Sequence, residues 1–103
     1  MTAKPGEGGR LVDVLLSALE PGGPASTEWC LVYLVSRSAS DPDVVLVQEG
    51  WTSVEDHDRV FAGDAAQAIL AQVPVLLAGE PTYGDFVPVD GKAGQLTSTA
   101  SLT

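Results

Sequence analysis

The sequence predicts an α+β domain in which helices cover one face of an antiparallel sheet, and three observations predict it. Two apolar β-prone runs, Trp29 to Val35 and Val44 to Val47, meet at a loop holding Asp41-Pro42-Asp43. A helical stripe of Val12, Leu15, Leu16 and Leu19 precedes them, at the i, i+3, i+4 and i+7 spacing that puts four apolar side chains on one face. A second helical region follows, begun by Thr52-Ser53 and closed by Gly79-Glu80-Pro81.

Lys4-Pro5-Gly6-Glu7-Gly8-Gly9 reads as a loop, because clustered Gly and Pro propagate neither helix nor strand. It lacks the Gly-Lys-Ser/Thr ending that a phosphate-binding loop requires. Pro21-Gly22-Gly23-Pro24 stops the first helix. The first strand is apolar on both faces, which predicts that both are covered. Past Val47, Gln48 and Gly50 fall on one face and Glu49 and Trp51 on the other.

Thr52-x-x-Glu55 fits a capping box, and Ser53 is an equally good N-cap one residue later. Val54, His57, Val60 and Phe61 then share a helical face, with Glu55, Asp56, Asp58 and Arg59 mostly outward. Gly63-Asp64 breaks and recaps the chain before a stripe of Ile69, Leu70, Val73, Leu76 and Leu77, in which Pro74 predicts a kink or a new first turn. Thr82 to Val89 reads as an edge or bulged last strand, since it carries Gly84 and Pro88. The expected division is one domain over residues 1–90 and a disordered tail over 91–103, where large apolar groups are scarce.

Fourteen acidic against five basic residues give a formal charge of -9, which repels phosphate backbones and anionic lipid and argues against nucleic-acid and membrane partners. No apolar run approaches the ~20 residues that cross a bilayer. A signal peptide is not expected in the first twenty residues, where Glu7 and Asp13 spoil the charge pattern, so cytoplasmic residence is the expectation. Cys30 has no internal partner and reads as a small buried hydrophobe. One His and one Cys, far apart, offer no metal constellation.

The element order is most of a ferredoxin-like split arrangement. Lys4-Pro5-Gly6, Cys30 to Val35, the Asp41-Pro42 hairpin, Glu49-Gly50-Trp51-Thr52-Ser53 and Leu76-Leu77-Ala78-Gly79-Glu80-Pro81 together resemble the antibiotic biosynthesis monooxygenase family of the dimeric α+β barrel superfamily, over residues 4–89. The resemblance implies a homodimer in which each last strand crosses to the partner sheet, and a ligand cavity between sheet and helices. It implies oxygenation of anthrone-type or quinol substrates with neither metal nor flavin cofactor; other members degrade haem or have no established substrate.

This chain departs from the family pattern twice. Only Met1 to Ala3 stand where the family has a full first strand, so that strand is expected to be short or missing. Its loss would leave a neighbour's backbone groups unpaired, unless the natural start lies upstream, the partner chain fills the gap or the sheet is rearranged. Family histidines correspond here to Val60 and Ala65, and the haem-ligating one falls near Leu70, which argues against haem degradation.

Oxygenation without a cofactor asks the protein for a base, an apolar pocket and donors for the resulting anion. His57 is the candidate catalytic base, because imidazole exchanges a proton around neutral pH; its other reading is a packing or capping role. Trp51 is a candidate platform for a flat small aromatic ligand or a core-edge anchor. Tyr33, Tyr83 and Arg37 are candidate donors to a phenolate, with strand packing and a solvated strand end as the other readings for Tyr33 and Arg37. Asp85 either orients the imidazole or blunts an edge strand.

Overall fold

In a computed structural model that describes residues 1–93, α1 (Gly8–Leu16) leads through two tight single turns to β1 (Cys30–Arg37) and β2 (Val45–Trp51). α2 (Val54–Phe61) and α3 (Asp64–Leu70) follow, and a further single turn at Pro74–Leu76 brings the chain back to the sheet. β1 and β2 pair antiparallel, Arg37 opposite Val45 and Tyr33 opposite Glu49, with a register shift between Cys30 and Val32. No helix among the described residues is long and apolar enough to cross a membrane.

The first strand is present in miniature. Met1–Lys4 lies between two segments: Val45 exchanges bonds with Met1 on one side, both at 2.8 Å, and Ala3 N–H donates to Asp43 O at 2.7 Å. On the other side Lys4 N–H reaches Leu76 O and Ala78 N–H reaches Thr2 O, at 2.8 and 2.9 Å. The lateral sequence Leu77, Ala3, β2, β1 follows the ferredoxin-like arrangement, with its first two members, Leu77 and Ala3, reduced to isolated bridges. Because Val45 turns its backbone toward Met1, alternation turns Val47 and Glu49 the same way, and no backbone partner meets them among the described residues.

The core gathers beneath this short strand. Leu11 and Leu15 of α1 pack on Ala3, Val45, Val73, Leu76 and Leu77, and Leu11 and Val45 are sealed at 0% and 1% exposure. Val35 and Val47 extend the same sheet face against it. The opposite face is bare: Leu31, Val32 and Leu46 are half or more exposed, so the expectation of a first strand covered on both faces is not met within one chain.

α1 starts at Gly8, earlier than the glycine-rich loop predicts, because a distant carboxylate caps it. Asp43 accepts from Gly6 N–H at 3.0 Å and from Gly8 N–H at 2.9 Å, satisfying donors that a helix start leaves free. The approach is close enough that a Cβ on Gly8 would fall against Pro42 O and 2.8 Å from the Asp43 Cα, so only glycine fits. Asp41 holds the loop in turn, its side chain accepting from Asp43 N–H at 3.0 Å.

Residues 79–93 form no strand, and Tyr83, Phe86, Val87 and Val89 are 85 to 99% exposed. The strand expected over Thr82 to Val89 does not form within the chain, which makes a single bridge at Leu77 and runs on as an arm with no backbone partner among the described residues; an extended segment with no second backbone to bond gains nothing from strand geometry. Of the tail expected over 91–103, residues 94–103 lie outside the described residues. Asp43→Ala should cost about 1 to 2 kcal/mol by urea unfolding, the range for a lost N-cap, and an unchanged midpoint would contradict the capping role.

Candidate functional site

The end of β2 and the start of α2 build one aromatic corner. Ser53 is the N-cap, its Oγ accepting from Asp56 N–H at 3.0 Å, so the helix begins at the second of the two sequence candidates. Thr52 Oγ donates to Asp56 Oδ2 at 2.6 Å, and Arg59 donates to Asp56 Oδ1 at 2.7 Å while its guanidinium lies 4.2 Å from the Trp29 ring centre. The hydrogen bond from Thr52, and next that from Arg59, hold the Asp56 carboxyl below its ordinary range. α2 is thus fixed by polar contacts at its first turn, which suits a helix with no fully buried residue.

That anchoring places His57 against Trp51. The two rings meet edge to face, 5.3 Å between centres at 86°. Phe61, one turn on, stacks on the imidazole at 4.5 Å and 28°, and lies 5.7 Å from Trp51. His57 remains 39% exposed, with Nδ1 2.9 Å from Asp58 Oδ1. Trp51 Nε1–H donates to Glu49 Oε1 at 3.0 Å, which fixes the indole plane.

The other predicted site residues scatter. Tyr33 shares the Glu49 side of the sheet but turns its hydroxyl away, donating to Leu15 O at 2.7 Å. Burial, then Glu49, then Cys30 push its phenol up to about 12. Arg37 Nε donates to Pro42 O at 3.0 Å on an exposed strand end, a structural bond to the hairpin loop. Tyr83 and Asp85 lie on the exposed arm, so within the chain the carboxylate beside the imidazole is Asp58, not Asp85. Cys30 is half-buried, less enclosed than its apolar run predicts; burial and then Glu49 raise its thiol pKa, which keeps it protonated and poorly nucleophilic.

Sequence reasoning missed Glu49, Phe61 and Asp58 as site members. Glu49 was legible as the residue two before Trp51 on the same strand face, and Phe61 as i+4 from His57. Asp58 carried no such signal, since neighbouring helical residues normally diverge. Two open grooves lie elsewhere, one along Ser17, Glu20, Gly23, Ala65 and Ile69 and one along Lys4, Arg10, Val14, Val75 and Leu76. Neither is lined by the aromatic corner. Among the described residues no group of three or more His, Cys, Asp or Glu is placed to hold a metal ion.

No family model matches the chain, and no curated protein does. Among solved structures, the chain is similar to a Chloroflexus aurantiacus J-10-fl protein provisionally named an antibiotic biosynthesis monooxygenase, with 29% identity, 90% of each chain covered and a TM-score of 0.76. It is also similar to a conserved protein from Methanosarcina mazei Go1, at 20% identity, 77% and 76% coverage and a TM-score of 0.66, a likeness of fold alone. The fold is therefore like that of an antibiotic biosynthesis monooxygenase.

A phenol whose folded-state pKa is raised stabilises the fold fully below its unfolded value near 10, and that contribution is lost as pH climbs through about 12. Unfolding midpoints of the wild type should accordingly fall across that window more steeply than those of Tyr33→Phe. Below it the variant should be weaker by about 1 kcal/mol, for one lost hydrogen bond; parallel pH profiles would contradict this.

Proposed function

We propose that the chain is a cofactor-independent monooxygenase of the antibiotic biosynthesis type, acting on a small uncharged quinol or polyketide-like aromatic. The observation that carries the reading is the Trp51–His57–Phe61 corner: a partly exposed imidazole held between two aromatic rings at the end of a strand. The Chloroflexus neighbour's name supports the same class. His57 takes the acidic proton, and the electron-rich carbanion or phenolate passes electrons to dioxygen. With an anthrone-type substrate a CH2 becomes C=O, its hydrogens leave with the second oxygen atom as water, and the substrate supplies all four electrons.

Glu49 and Asp58 flank the corner, so an aromatic carboxylate would meet two acidic groups there. This is why an uncharged substrate is the better fit. Tyr83 and Arg37 enter this reading as donors only where an arm or strand end from a second copy completes the site; the Tyr33 hydroxyl is held by Leu15 O and is not used.

In this reading the protein acts as a homodimer in which the arm over residues 82–89 becomes the last strand only against the partner chain. Support comes from the uncovered sheet face at Leu31, Val32 and Leu46 and from the unpaired apolar arm, two surfaces that a monomer leaves in water. A second reading, a catalytically silent dimeric binding or interaction module, is favoured by Val60 and Ala65 standing where the family's histidines fall.

Oxygen uptake with a panel of hydroquinones and anthrones separates the two. Turnover should occur and His57→Ala should lower it by roughly 10² or more; no uptake above background by either protein removes the enzymatic reading for that panel. Light scattering should give the mass of two chains, and of one chain after truncation at Glu80, whereas a wild-type monomer would overturn the dimer.

A further inference from the structure

We propose that Asp58 is a positioning residue that holds His57 as its Nδ1–H tautomer, so that Nε2 is the atom which takes the substrate's proton. The inference rests on the reading of His57 as the base. Asp58 Oδ1 lies 2.9 Å from Nδ1, and a carboxylate only accepts hydrogen bonds, so the hydrogen belongs to Nδ1. A neutral imidazole carries one N–H, and Nε2 keeps its lone pair.

The contact is not a by-product of helix geometry. Side chains at i and i+1 point away from each other, so the two have turned toward one another across the helix surface. Phe61 against the ring face and Trp51 at right angles to it confine the imidazole from two sides. The nearby carboxylates are otherwise engaged: Glu49 accepts from the Trp51 indole, and Asp56 accepts from Thr52, Arg59. Among the described residues, Asp58 is the carboxylate within hydrogen-bond distance of the imidazole.

The proton moves as follows. The substrate's C–H or O–H electron pair stays on the substrate, the proton binds Nε2, and the resulting imidazolium keeps its Nδ1–H on Asp58, a bond that strengthens as charge develops. The proton then leaves Nε2 for the oxygen atom released as water. Without Asp58 the ring is free to adopt the other tautomer, in which Nε2 carries hydrogen and cannot accept.

His57 is the one histidine of the chain, so its ring nitrogens give unambiguous long-range ¹H–¹⁵N correlations in the 103-residue chain, recorded in alkaline buffer. The wild type should show a protonated Nδ1 and a bare Nε2. Asp58→Ala should shift the ring toward Nε2–H, and Asp58→Asn, whose amide oxygen still accepts, should retain Nδ1–H, with circular dichroism unchanged in both. A wild-type ring that is mainly Nε2–H, or an Asp58→Ala ring identical to wild type, overturns the proposal. With a turned-over substrate, Asp58→Ala should lower kcat about tenfold or more and leave KM within about twofold, and a loss confined to KM overturns it equally. The spectra need no turnover, so an inactive wild type would remove the oxygenase reading while the tautomer was still decided.

Discussion

Four residues, Met1 to Lys4, hold the rest of the molecule in register. They bond Asp43 and Val45 on one side and Leu76 and Ala78 on the other, so they join the hairpin to the returning end of the chain. The buried Ala3 sits over Leu11, Val45 and Leu77, and the same hairpin end sends Asp43 to the start of α1. One short segment therefore fixes the sheet, the core and the first helix together. Removing it would unpair several backbone groups at once, at about 1 to 3 kcal/mol each where they are buried, against the 5 to 15 kcal/mol that typifies a whole domain.

This economy has a consequence along β2. Beyond Val45 the strand runs on to Trp51 with its outer backbone edge unpaired among the described residues, and the site forms at the end of that run. Trp51 is instead steadied by side chains: Glu49 on its indole nitrogen, and His57 and Phe61 on its ring. The Asp56 hydrogen bonds hold α2 over it from the helix start. The aromatic corner is thus supported by local polar and aromatic contacts, while the sealed core lies under α1.

What was legible in the sequence follows from distance along the chain. The hairpin, the Ser53 cap, the break at Gly63 and the new turn at Pro74 are all local, set by residues within a turn of each other. The meeting of Trp51 and His57 was legible for the same reason, a strand end and the first turn of the next helix. The Asp43 cap was not, because its donors lie 35 and 37 residues away and the glycines at 6 and 8 look like loop until a carboxylate is set in front of them. The last strand does not form within one chain, since alternation specifies which faces a strand would present but cannot supply its partner. Tyr33 shows the same limit at side-chain scale: its position on the site side of the sheet was readable, and its bond to Leu15 O was not.

Reception of an aromatic substrate by the Trp51–His57–Phe61 corner, as proposed, is open to chemical-shift mapping with a hydroquinone under strict exclusion of oxygen. Saturable shifts concentrated at the Trp51 indole N–H, His57 and Phe61 are expected. Shifts confined to the Lys4–Arg10–Val75 groove, or none at all across the panel, would contradict it.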